Sequence, residues 1–175
     1  VIAYYLITVV SAACTVVNEA DCKRTTDSLT SVERLQFTDS SLALDTDGNA
    51  GEVYRLYQVF DRDPAQGDTT GLGYWIAQAD GGMDLSEVAA RFIDSTEFST
   101  TYGDNLSNAE FITSLYDNFL NRTADQSGFD WWVAQLNTNA YTRATVLAEF
   151  SESTENVAAV AGLIASGIVY TEYVA

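Results

Sequence analysis

From position 49 onward, apolar residues recur at the three- and four-residue spacing of an amphipathic helix. Val53, Leu56, Tyr57 and Phe60 fall at i, i+3, i+4 and i+7, which places them on one helix face. Asn49 followed by Glu52 has the spacing of a capping box, with asparagine at the cap position. Arg62, Pro64 and a polar loop to Thr70 then break the pattern. A second stripe at Leu72, Trp75, Ile76 and Ala79 is stopped by Asp80-Gly-Gly82. Asp84 with Glu87 opens a third helix, whose Leu85, Val88, Ala89 and Phe92 again share a face.

The same order then recurs. Ser107-Asn-Ala-Glu110 is a capping box, and Ile112, Leu115, Tyr116 and Phe119 repeat the first stripe. Arg122 repeats Arg62; Phe129, Trp132, Val133 and Leu136 repeat the second stripe; Thr142 to Phe150 repeats the third helix. Gly71-Leu-Gly-Tyr-Trp-Ile-Ala-Gln78 aligns with Gly128-Phe-Asp-Trp-Trp-Val-Ala-Gln135, and Phe92-Ile-Asp-Ser-Thr-Glu97 with Phe150-Ser-Glu-Ser-Thr-Glu155. The offset stays between 57 and 60 residues throughout. Helical periodicity alone could produce similar stripes, but not these motifs in the same order. The pattern therefore predicts two copies of a three-helix unit, at about 49–98 and 107–156, and a C-terminal helix from about Ser153 to Ala165.

The flanks read differently. Tyr4–Val10, Cys14–Val17, Val32–Phe37 and Leu42–Leu44 are apolar or alternating runs rich in β-branched residues, divided by the polar stretch Asn18–Ser28 and the turn Thr38-Asp-Ser-Ser41. Ile168–Val174 is β-prone again, and is expected to pair with the N-terminal strands. The expected fold is mainly α with a small β appendage: a β-rich segment at 1–46, a duplicated helical domain at 47–166 and a strand or tail at 167–175.

Charge narrows the function classes. The 175 residues carry 25 acidic and 8 basic side chains, a net charge of −17, and no histidine. Such a surface repels nucleic-acid phosphates, and the basic residues are scattered apart from Lys23-Arg24. No apolar run reaches the length of a membrane-spanning helix. The opening segment lacks the basic start of a secretory signal. Without histidine there is no Ser-His-Asp or Cys-His constellation, and no Gly-rich nucleotide loop appears. The expectation is a protein that is not an enzyme. Cys14 and Cys22 are the only cysteines; a disulfide in an oxidising compartment and two free thiols both remain open.

Tyr54-Arg-Leu-Tyr-Gln-Val-Phe-Asp-Arg62, Gly71-Leu-Gly-Tyr-Trp75, Leu115-Tyr116 through Arg122, Gly128-Phe-Asp-Trp-Trp132 and Phe150-Ser-Glu-Ser-Thr-Glu-Asn156 together resemble the bacterial domain-of-unknown-function family 4214. Asp27–Asp39 resembles the strand segment that often leads into that domain, so the resemblance spans roughly 27–170. It implies a secreted or cell-surface protein of the kind exported by type I secretion or built into surface layers. The Gly-Gly-x-Gly-x-Asp calcium repeats common in that setting do not occur here. A fainter likeness to phycobilisome linker domains carries no functional weight.

Several residues stand out as candidate sites. Asp45, Asp47, Asn49 and Glu52 form the best calcium candidate, although Leu56 occupies the twelfth position where an EF-hand loop needs glutamate. The competing reading is a turn leading into the first helix, with Asn49 as its cap. Arg62 and Arg122, each just past a helix end, are expected to meet the helix dipole and to bridge a carboxylate of the next loop. Trp75 and Trp132 lie on the apolar stripes and are expected in the core, while Tyr74 and Trp131 fall one position earlier as interface or ligand anchors. The functional expectation is a noncatalytic secreted or cell-surface assembly module. It would associate with itself or with other extracellular proteins, for example by an unpaired strand completing a neighbour's sheet. The alternative is a carbohydrate-binding or carbohydrate-processing accessory domain.

Overall fold

The structure, a computed structural model, describes residues 5–10, 13–18, 26–30, 32–60 and 67–174, with side chains in the last two segments. Two small antiparallel sheets accompany eight helices among these residues. The first sheet joins β1 (Tyr5–Val10), β2 (Ala13–Asn18) and β3 (Thr26–Thr30) in that order, with Val9, Cys14 and Leu29 opposite one another. β3 falls where local composition predicts a polar stretch but where the resemblance over Asp27–Asp39 implies a strand. Its sequence, Thr-Asp-Ser-Leu-Thr, has turn composition, and pairing with β2 makes it a strand.

The second sheet joins β4 (Arg34–Gln36), β5 (Ser41–Ala43) and β6 (Ile168–Tyr170), aligning Leu35, Leu42 and Val169 across all three. The C-terminal strand thus pairs with the N-terminal segment as expected, but through its last strand, β5, and not through the opening runs. Ser41, Leu42 and Ala43 are all buried, so β5 is covered on both faces.

The helices are α1 (Asn49–Leu56), α2 (Thr69–Asp80), α3 (Leu85–Ile93), α4 (Thr96–Tyr102), α5 (Asn108–Leu120), α6 (Gln126–Asn137), α7 (Arg143–Ser151) and α8 (Thr154–Ile164). After α1 the chain tightens into a 3-10 turn at Tyr57–Phe60, whereas its counterpart α5 continues unbroken to Leu120. The fold is mainly helical with a small sheet at the termini, as expected, and each copy contains one helix more than the three read from the stripes. The shared Ser-Thr-Glu marks it: Ser95 and Ser153 cap α4 and α8 by accepting from the amides of Phe98 and Asn156. The last helix is therefore the fourth helix of the second copy. Seven-residue α4 is too short to show a full stripe, and only Phe98 of it is buried.

The core runs through both copies. α3 and α7 make the most extensive helix–helix contact among the described residues, burying Val88, Ala89 and Phe92 together with Val146, Leu147 and Phe150. The same corner is built in each copy. Phe92 meets the ring of Tyr57 edge-on at 5.1 Å and Trp75 at 5.3 Å. Phe150 meets Tyr116 edge-on at 5.1 Å and Trp132 at 5.4 Å. Trp75 and Trp132 are partly buried against the core, consistent with their places on the stripes. The α4 residue Tyr102 fastens the copies by donating to the Val59 carbonyl and accepting from the Asn118 amide.

The corner explains the repeated glycine. Asp68 and Asp125 cap α2 and α6, accepting from Gly71 N at 2.9 Å and Gly128 N at 2.8 Å. A β-carbon on Gly71 would lie 2.7 Å from the Tyr57 hydroxyl, and one on Gly128 would lie 2.5 Å from the Tyr116 hydroxyl. The tyrosine hydroxyl, joined at Gly71 by the still closer Asp68 carboxylate at 2.3 Å, fills the space that any larger residue would need. Alanine in place of a helical glycine ordinarily stabilises by about 1 kcal/mol. Here Gly128→Ala is expected to destabilise by about 1–2 kcal/mol in urea unfolding. In a Tyr116→Phe background the loss should largely disappear, and strict additivity of the two substitutions would disprove the latch.

Candidate functional site

Among the described residues, the most buried charge belongs to Arg55, at 3% exposure. Its Nε and Nη2 each donate to Glu152 at 2.7 Å, and Nη1 donates to the Thr46 carbonyl at 2.8 Å. Glu152 caps the C-terminus of α7, so this fork ties the first helix of one copy to the third helix of the other. Helical periodicity does not reveal Arg55, because α1 is buried on nearly every side, with Val53, Tyr54, Leu56 and Tyr57 packed around it. One signal was present: the second copy has Ser114 at the matching place, a departure between otherwise similar helices. Beside the fork, burial first and repulsion from Glu152 second push the Glu52 carboxyl above the usual carboxylate range; Arg55 opposes this and Asp45 adds to it.

The acidic turn before α1 is occupied by structural bonds. Asp45 pairs with Arg34 and accepts from Ala50 N at 3.1 Å. The N-cap is Gly48, without a side-chain cap, so the expected capping by Asn49 does not occur. Asn49 is instead the first helical residue, and its amide donates to Asp80 at 2.9 Å. Asp45 supplies the missing acceptor from outside the helix. Asp47 is exposed, and Glu52 faces the Arg55 fork. Among the described residues, no three His, Cys, Asp or Glu side chains come together in a group that could hold a metal ion.

Arg34 also links β4 to α2, donating from Nη2 to both Asp80 oxygens at 3.0 and 3.1 Å. A cleft of about 340 Å³ opens here between the β4–β5–β6 sheet and α2. Gly73 makes the close approach possible: a β-carbon there would sit 1.8 Å from the Thr171 carbonyl oxygen. The chain beyond β6 therefore lies directly on α2, with Thr171 N donating to the Thr69 carbonyl at 3.0 Å. Gln36 donates to Glu172, the Tyr170 hydroxyl is hydrogen-bonded to Ser41, and Tyr173 meets Tyr74 edge-on at 5.0 Å.

The two outward aromatics have different surroundings. Tyr74 is half-buried beneath Tyr173, whereas Trp131 is 48% exposed, flanked by Trp132 and Tyr141. Arg122 lies over the Tyr116 ring at 5.1 Å and forks onto Glu155 with two bonds of 3.0 Å. Its principal partner thus lies in the first turn of α8, while Asp125 of the following loop is 3.9 Å away. Hydrogen bonds from Arg122 hold the exposed Glu155 carboxyl below its ordinary value. Arg62 and Cys22 lie outside the described residues, so the matching first-copy cation and the cysteine pairing do too; the Cys14 backbone lies in β2.

The fork gives an ordered set of stabilities. Glu152→Ala strands a buried guanidinium and should cost about 3 kcal/mol in urea unfolding. Arg55→Met removes the charge together with its desolvation cost, so it should cost less. The reverse order would show that the pair is not the dominant interaction there. Because its folded pKa is raised, ionised Glu52 costs stability as pH rises through that value; the favourable contribution is complete only at acid pH. Glu52→Gln should therefore raise Tm at neutral pH, on the order of 1–3 °C, with the gain vanishing in acid. A gain independent of pH would contradict this electrostatic cause.

Residues 89–160 match the family model described as Domain of unknown function (DUF4214). The match begins inside α3 and ends inside α8, so it takes in the second half of α3, all of α7 and most of the second copy. No curated protein and no solved structure matches the chain. The match thus covers the second copy's corner, with its Tyr116-Gly128-Asp125 latch, and over these residues the chain is similar to the DUF4214 family.

Proposed function

We propose that this chain is a noncatalytic secreted or cell-surface structural module that associates with itself or docks into a larger extracellular complex. The supporting observation is the placement of exposed apolar side chains. Leu163, Val169, Tyr173 and Val174, 43–84% exposed, lie within twelve consecutive positions at the end of α8, β6 and the following tail. Ile168 and Tyr170 alternate with Val169 and are buried, so the strand divides its side chains between the core and the surface. Apolar side chains left exposed at this density along the C-terminal stretch favour association. The buried polar groups meanwhile serve the fold: Asn156 donates to the Ser151 carbonyl, the Ser151 hydroxyl to Ala148, and Arg55 to Glu152.

Strand exchange, the mode expected from sequence, is disfavoured at the second sheet. β6 is already paired with β5 in its own chain, and the opposite edge, β4, is three residues long and carries Arg34. Short, charged edges resist strand addition. The exposed C-terminal side chains offer a contact that needs no free strand edge. Sedimentation velocity at rising protein concentration, with and without calcium, should show reversible association that Val169→Lys weakens. A strict monomer under every condition would overturn the reading.

A further inference from the structure

We propose that the cleft between α2 and the β4–β5–β6 sheet binds a neutral polyhydroxyl ligand, a sugar unit of a glycan. This proposal does not rest on the assembly reading. The cleft, at about 340 Å³, lies at the small end of the range occupied by ligand sites, roughly 300–1,000 Å³. Its walls carry the mixture that hydroxyl groups require. Arg34 and the Gln36 amide supply donors, Asp80 and Glu172 supply acceptors, and the Tyr170 hydroxyl can serve as either. Each sugar hydroxyl donates one bond and accepts others, so a wall of interleaved donors and acceptors suits it better than a wall of one kind.

Charge decides against the other polar ligands. Arg34 is already in contact with two carboxylates, Asp45 and Asp80, and Glu172 adds a third negative charge on the same wall. An anion would enter against this excess and against the −17 of the whole chain. A metal ion would need several converging carboxylates, and no such group exists among the described residues. A neutral ligand avoids both costs.

One further feature favours a sugar. At the mouth, Tyr173 is 43% exposed yet held edge-on by Tyr74, which fixes an aromatic surface beside the polar wall. A sugar ring can lay its C–H face on that surface while its hydroxyls reach the wall. Gly73 is what admits the tail to this position; its counterpart in the second copy is Asp130, which is exposed. The cleft is therefore specific to the first copy.

The test uses the full chain in NMR titration with soluble tetrasaccharides of glucose, mannose, galactose and N-acetylglucosamine, up to about 10 mM each. At least one should give saturable shifts at the amides of Gln36, Asp80 and Tyr170 to Tyr173. Tyr173→Ala and Gln36→Ala, both at exposed positions, should each weaken that binding about tenfold while Tm stays unchanged. Glu172→Gln serves as a second acceptor-side variant with the same expectation. The proposal is overturned if no neutral saccharide moves these amides, if the shifts centre on Trp131, if the substitutions leave affinity intact, or if an oligogalacturonate binds more tightly than every neutral sugar. Sedimentation of the ligand-free protein reports on assembly separately, so either idea can fail alone.

Discussion

Packing of α3 against α7 is the constraint on which the rest of the fold depends. Val88, Ala89 and Phe92 have their counterparts in Val146, Leu147 and Phe150, and these faces are buried where the copies meet. Neither helix, at nine residues, would be stable alone in water. Joining the third helices turns two marginal units into one core, and brings α1 close enough to α7 for Arg55 to reach Glu152. A charge so deeply buried is tolerated only because the fork and the Thr46 carbonyl use all three guanidinium nitrogens.

Where the copies agree, they build the corner. Tyr57 with Gly71 and Asp68, and Tyr116 with Gly128 and Asp125, set the angle at which the second helix leaves the first. Where they differ, the molecule acquires individual features. Arg55 replaces serine and makes the buried fork; Gly73 replaces aspartate and admits the C-terminal tail; Trp131 replaces tyrosine and stays uncovered. Repetition thus accounts for the core, and divergence accounts for the surfaces available to ligands or partners.

The acidic composition is managed locally by hydrogen bonding. Asp84, Glu110 and Asp125 are held below their ordinary pKa values, the first two mainly by the hydroxyls of Ser86 and Ser107 and the third by the Gly128 amide. Each lies at a helix N-terminus, where the backbone amides favour negative charge. Glu52 is the exception, a carboxylate brought beside Glu152 and kept there by the guanidinium both share.

The amino-acid sequence by itself determined the duplication, most helix boundaries and the two capping boxes, because these depend on spacings of three and four residues that a chain carries locally. It also showed that Ser153 begins a helix and that the last strand returns to the N-terminal segment. Tertiary structure alone decided the remainder. The pairing of Thr26–Thr30 with β2 is not legible in its polar composition, and Asn49 yields its capping role because Asp45 and Asp80 approach from outside the helix. Arg55 is buried only because a second copy closes over it. The cleft exists because residues 34–36, 73–80 and 170–173, remote in sequence, are drawn together by one glycine without a β-carbon. Local periodicity specifies which side of a helix is apolar; it carries no information about which distant charge or carbonyl will meet the other side.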